Sequence, residues 1–279
     1  LWAGVGLYCL AQALESQAHY AWSILAGAAI GLMFLEQLDV ALFFGLVLGA
    51  YALFLAIRQA RASHSWWKPC LVLLTLGAMG LLFSFSNILS NYRINVQEVA
   101  VMQAESAEEK WAYATQWSWP PTESIDFIAP GYMGWRSCEA AGPYWGRMGR
   151  SAGWEETRQG FMNFKLENQY LGAIPILLAL FALLAAIKGL PHDQAGAGAE
   201  HSERKAEIIF WSCAAGLTLL LAFGKYFPLY ALFYKLPLIS TIRNPNKFLQ
   251  VFQLTLGILA AYGLDEALKY HRARTLRKS

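Results

Sequence analysis

Apolar residues run along this chain in long blocks rather than in alternation: 1–14, 21–36, 39–57, 69–89, 170–188, 207–224 and 248–268. A helix rises about 1.5 Å per residue and the apolar slab of a bilayer is about 30 Å thick, so about twenty apolar residues make one crossing. The blocks therefore predict an all-α integral membrane protein with about seven transmembrane helices, clearest at 69–89, 207–224 and 248–268. Only Glu36-Gln37-Leu38-Asp39 separates the second block from the third. One helix through both would overshoot the bilayer, so a tight reversal is expected there. Gly27-x-x-x-Gly31 and Gly45-x-x-x-Gly49 fall on the two arms; small residues at that spacing let helices pack closely, which fits a hairpin, although glycine is also simply common in membrane helices. The chain opens Leu1-Trp2-Ala3, with neither Met nor a charged leader region, and reads as a fragment that starts inside a membrane helix.

Composition narrows the class. The chain is 56% hydrophobic and 15% charged, where soluble proteins carry about a quarter charged residues, so an ordinary cytosolic enzyme and a disordered chain are excluded. A net charge of +3 is too small for a nucleic-acid binder. Eleven Trp and thirteen Tyr fit membrane–water interfaces. Cys9, Cys70 and Cys213 lie in apolar runs and Cys138 stands alone in a polar one, so no disulfide framework is predicted.

Charge sets the expected orientation. Arg58, Arg61 and Lys68 mark loop 58–68; Lys188, Arg204 and Lys205 mark loop 189–206; Lys269, Arg272, Arg274, Arg277 and Lys278 mark tail 269–279. Alternating spans put all three on one side, the cytoplasmic one, and the stretch 90–169 outside. The organisation expected is thus helices over 1–89, an extracytoplasmic cap over 90–169, helices over 170–268 with an interfacial segment 225–247, and a basic tail 269–279. The cap is rich in aromatics, among them Trp111, Trp117, Trp119, Trp135, Trp145, Trp154 and Phe161, and so should be folded. Residues 97–117 read as an amphipathic helix. Thr122 or Ser124 is placed to cap a short helix carrying Glu123 and Asp126, and Pro130-Gly131 and Gly142-Pro143 mark turns. The stretch 194–200 reads as a flexible inner loop.

One segment breaks the charge rule. Residues 225–247 should lie outside, yet they carry Lys225, Lys235, Arg243 and Lys247 with no acid. The segment is apolar, aromatic and Pro-broken, as expected of a stretch lying in the interface. Arg243-Asn244-Pro245-Asn246-Lys247 precedes the last helix, where Asn244 or Asn246 is placed to cap it. An Arg fork, a Lys and a helix N-terminus suit a phosphate, and so the headgroup of a lipid-linked sugar donor; snorkelling interfacial cations are the plainer reading. Glu36 and Asp39 are candidates for a base or metal ligands at the outer mouth, against a solvated turn with Asp39 as a cap. Glu123 and Asp126 form a second carboxylate pair, able to hold a divalent cation or an acceptor, or simply to face solvent. The five His residues show no metal-ligand spacing, so no zinc site is predicted.

Three stretches, Trp117-Ser118-Trp119-Pro120-Pro121-Thr122-Glu123, Ile128-Ala129-Pro130-Gly131-Tyr132-Met133-Gly134 and Gly142-Pro143-Tyr144-Trp145-Gly146, resemble the large outer loop of YfhO-like bacterial membrane proteins. That family is related to the GT-C superfamily of polyprenyl-phosphate-sugar-dependent glycosyltransferases. Tyr170-Leu171-Gly172, Leu236-Pro237 and Arg243-x-Pro245-x-Lys247-Phe248 are similar to it as well. The resemblance implies a protein of the bacterial inner membrane that transfers sugar from a polyprenyl-phosphate donor at the outer face, with other membrane subunits as further partners. Within that scaffold the residues themselves suggest Arg243 and Lys247 on the donor phosphate, Lys225 and Lys235 as secondary cations, Glu36 or Asp39 as base or metal ligand, and Tyr144 and Trp145 stacked on a sugar. The acidic residue that such enzymes carry in their first outer loop has no match here. A transporter or flippase for an anionic lipid or solute, and a non-catalytic structural subunit, are the competing readings.

Overall fold

A computed structural model of the chain describes residues 1–93, 106–134, 144–151, 153–159, 169–188, 198–236, 239 and 242–276. Positions 97–105 of the expected cap helix, Trp135, Cys138, Gly142-Pro143, Phe161, His192, the stretch 194–197, Pro237, Arg277 and Lys278 lie outside the described residues. The chain divides into two compact units, Leu1–Ala104 and Glu105–Ser279.

The first unit holds α1 (Trp2–Glu15), α2 (His19–Glu36), α3 (Leu38–Ser63) and α4 (Trp67–Tyr92). Gln37, extended at φ −151° and ψ 105°, is the whole link between α2 and α3. Met33, Ala41 and Leu48 pack together with Leu7 and Ile30, so the chain does reverse at the acidic break. The glycine pairs act otherwise than expected. A Cβ on Gly31 would meet Phe83 Cβ at 2.6 Å and the Gly80 carbonyl oxygen at 2.8 Å, and one on Gly27 would strike the Leu76 carbonyl. Both therefore serve the α2–α4 contact. Gly49 has open space around it, and a Cβ on Gly45 would meet only the Phe34 ring at 3.7 Å. The Asn87 amide of α4 donates to the Phe34 carbonyl near the end of α2, satisfying one of the acceptors a helix leaves open there.

In the second unit α5 (Ala107–Thr115) opens with a capping box between Ser106 and Glu109. A 3-10 helix Pro121–Phe127 and the short α6 (Trp154–Thr157) follow, then α7 (Ala173–Lys188) and α8 (Gly198–Ala222). A 3-10 turn Gly224–Tyr226, α9 (Pro228–Tyr234) and a 3-10 turn Pro245–Lys247 lead into α10 (Phe248–Leu276). α10 packs on α7, where Gly263 lets the Leu178 carbonyl approach, and on α8. Arg204 of α8 pairs with Asp265 and with the buried Glu266 of α10, and Tyr262 donates to Glu207 at 2.8 Å. Asp265 stands about 26 Å along α10 from Phe248, so two polar ends are set roughly one hydrocarbon thickness apart.

Among the described residues five helices have the length and apolarity to cross a membrane: His19–Glu36, Leu38–Ser63, Trp67–Ser90, Ser202–Ala222 and Pro245–Arg272. α1 has the 14 residues of the first block and α7, with 16, falls short of the block 170–188; neither is among the five. Leu82 on α4 is 69% exposed and Ile174 on α7 72%, faces that water would penalise and lipid tails accept. No strand occurs among the described residues, only a bridge between Gly134 and Tyr144. The protein is α-helical and membrane-embedded.

Candidate functional site

Backbone hydrogen bonds knit the cap segment to the two turns that flank α9. The Trp119 N–H donates to the Ala222 carbonyl at 2.9 Å, Asn244 N–H to Ala114 at 3.0 Å and Asn246 N–H to Trp117 at 3.1 Å. The Lys225 N–H donates to Ser118 Oγ at 3.0 Å. Gly224 permits this junction: its φ is +52°, and a Cβ there would strike Ser118 Oγ and approach Pro245 Cγ to 2.9 Å. Aromatic rings complete the joint. Trp111 lies edge-on to Tyr234 at 5.1 Å, Trp119 stacks on Phe127 at 5.5 Å, and Phe127 meets Phe252 at 5.7 Å.

Arg243 leaves this junction exposed, with its guanidinium against the Tyr113 hydroxyl and 5.1 Å from the Tyr113 ring centroid. Lys247 is half-buried in the turn before α10, while Lys225 and Lys235 are exposed. The Lys225 ammonium lies 5.5 Å from the Tyr226 ring. Desolvation, and then the nearby Arg150, lower the Lys225 pKa from its ordinary value. An arriving anion would oppose both effects through its own charge and favour the charged ammonium. Neither Asn244 nor Asn246 caps α10 with its side chain; Asn244 sits at φ +72° before the 3-10 turn instead. Their Oδ1 atoms are buried without a hydrogen-bond partner, two acceptors that an internal water would satisfy.

The Glu123–Asp126 pair is inside the cap, both residues fully buried, rather than on the surface where a cation or acceptor could reach it. The Tyr144 hydroxyl sits 2.8 Å from each Glu123 carboxylate oxygen and donates to them, and the Arg147 N–H donates to Oε1 at 2.8 Å. The Met148 N–H closes the set by donating to the Tyr144 oxygen at 2.9 Å, and the Met133 N–H donates to Asp126 at 3.1 Å. Neither Thr122 nor Ser124 caps the 3-10 helix; Ser124 accepts from the Trp119 indole. Tyr144, at 2% exposure, has no ring face to offer a sugar, whereas Trp145 at 65% does. Gly146 makes the Tyr144–Glu123 contact possible, since a Cβ there would sit 2.5 Å from Glu123 Oε1. Among the described residues no group of His, Cys, Asp and Glu is placed to hold a metal ion.

Tyr144 carries a pH prediction. Burial first, and the Glu123 carboxylate second, hold its phenol far above the ordinary range. The unfolded chain, titrating near about 10, releases its proton earlier, so this stabilisation is intact below that pH and is lost as the pH climbs through it. Thermal unfolding followed from pH 8 to 11 should show the loss at the alkaline end, shallower in Tyr144→Phe; identical slopes in the two proteins would contradict it.

Glu36 and Asp39 belong to the first unit. Glu36 is exposed and accepts the Trp2 indole N–H at 3.1 Å, and Asp39 lies in the first turn of α3 with Oδ1 accepting from the Val40 N–H at 2.9 Å. A carboxylate in that turn also complements the helix dipole. The second unit brings Arg243, Lys247, Lys225 and the acceptors of Asn244 and Asn246 to one junction. Arg147 and Arg150, which a search for cations in 225–247 passes over, join it: both act electrostatically on Tyr226, and Gln116 donates to the Gly149 carbonyl at 3.2 Å. Their signal in the sequence is the doublet Arg147-Met148-Gly149-Arg150 directly after Tyr144-Trp145. Compared with family models, curated proteins and solved structures, the chain has no match.

Proposed function

We propose that this is a glycosyltransferase-like protein of the bacterial inner membrane that binds the phosphate of a polyprenyl-phosphate-linked sugar at the extracytoplasmic face. The observation that carries the reading is Arg243: an exposed guanidinium at the turn entering a crossing helix, resting on a phenol. A phosphate gains charge-assisted, two-pronged hydrogen bonds from such a fork, and Lys225 and Lys247 add charge on the same junction. The exposed Trp145 offers a stacking face for the sugar. Transfer would gain most from neutralising the charge that develops on the leaving phosphate. The orientation follows the basic loops, with the cap outside.

Purification with native lipid followed by mass spectrometry tests the binding, and an assay for glycosylated product tests the transfer. The wild-type protein should retain a polyprenyl phosphate. Arg243→Gln combined with Lys247→Gln should lose at least about tenfold of it, the worth of one to two charged hydrogen bonds, with helicity and melting unchanged. Equal retention by wild type and variant would contradict the reading.

A further inference from the structure

The first unit holds a cavity of its own. It opens where the α1–α2 link and the start of α4 meet the last turns of α3, and Ser16, Gln17, His19, Gln59 and Lys68 line it. Its volume is about 390 Å³, enough for the headgroup of one phospholipid, and the buried Ala13 and Val72 form its apolar floor. None of the described lining residues is acidic. The lining therefore offers an ammonium, an imidazole, a hydroxyl and two amides, groups that can each donate to a phosphate. Around this end stand Arg61, and Trp66 and Trp67 at 57% and 59% exposure, the aromatic and basic residues that mark the headgroup level of a bilayer. Basic pockets between membrane helices at that level hold anionic headgroups, because the acyl chains stay in lipid while the phosphate meets fixed donors.

We propose that this cavity is a binding site for the phosphate of an anionic phospholipid headgroup, with Lys68 as its charged contact and Gln59, Gln17 and His19 as further donors. It uses none of the residues assigned to the donor site and stands or falls without it.

The test uses the full chain in nanodiscs of phosphatidylcholine with about a fifth phosphatidylglycerol, extracted and examined by native mass spectrometry. Wild-type protein should keep phosphatidylglycerol in preference to phosphatidylcholine. Lys68→Gln should reduce that preference by about tenfold, the worth of one charged hydrogen bond, while Arg58→Gln, a cation at the same end but outside the lining, should keep it. Inorganic phosphate at millimolar concentration should not displace the lipid. Equal retention of the two lipids by wild type, an unchanged preference in Lys68→Gln, or displacement by inorganic phosphate would each overturn the proposal, the last in favour of a soluble-anion site. Lys68 is exposed, so the variant should fold; unchanged helicity checks this.

Discussion

Replacing Glu123 with Ala should unfold the cap while leaving the first unit helical. The carboxylate is fully buried and holds the Tyr144 hydroxyl and the Arg147 N–H. Its removal leaves a phenol and an amide without partners in a site that water cannot easily enter. Each such group costs about 1–3 kcal/mol, and the cavity adds to it, so a loss of about 4 kcal/mol or more is expected. Tyr144→Phe should cost less, about 1–3 kcal/mol, because the carboxylate keeps the Arg147 N–H. Glu123→Gln should be mildest, since its amide can still accept from Arg147 and donate to Tyr144. Limited proteolysis within 106–151 measures the order directly. A cap equally resistant in all three would mean that this buried network does not hold it.

Gly31→Leu should separate α2 from α4. Even a Cβ would sit 2.6 Å from Phe83 Cβ and 2.8 Å from the Gly80 carbonyl oxygen, and neither backbone nor Cβ can rotate away. The helices must move apart by more than an ångström, losing the dispersion contacts that hold membrane helices together and pulling Asn87 from the Phe34 carbonyl. Overpacking a close contact costs about 1–3 kcal/mol when side chains can yield, and more is expected here, about 4 kcal/mol. Gly49→Leu, with open space around it, should be near neutral and serves as the control. Melting in detergent distinguishes them, and equal melting of the two variants would contradict the assigned interface.

The helices were legible because membrane crossing imposes long apolar blocks, and residues 39–57 or 69–89 can hardly fold otherwise. Partner choice was not. Gly27 and Gly45 look alike in sequence, yet only the face of α2 bearing Gly27 and Gly31 meets a neighbour with a matching hollow, the one at Gly80 of α4. Glu123 and Asp126 were misplaced for a related reason: two carboxylates three apart read as a solvated helix face, and the phenol and amides that make burial tolerable come from 7 to 24 residues downstream. Tyr144, read as a sugar platform, is one of those donors. Arg243 was legible because its neighbours in sequence, Asn244-Pro245-Asn246 before an apolar helix, fix its place at a helix entrance.

The side of the membrane on which Arg243 lies decides the account most directly. In a cysteine-free background, Arg243→Cys and Lys269→Cys are labelled with a membrane-impermeant maleimide in sealed, outward-facing vesicles. Labelling at 243 without permeabilisation, and at 269 only after it, is the result expected. Labelling at 243 only after the vesicles are opened would put the cations on the cytoplasmic side and remove the donor site.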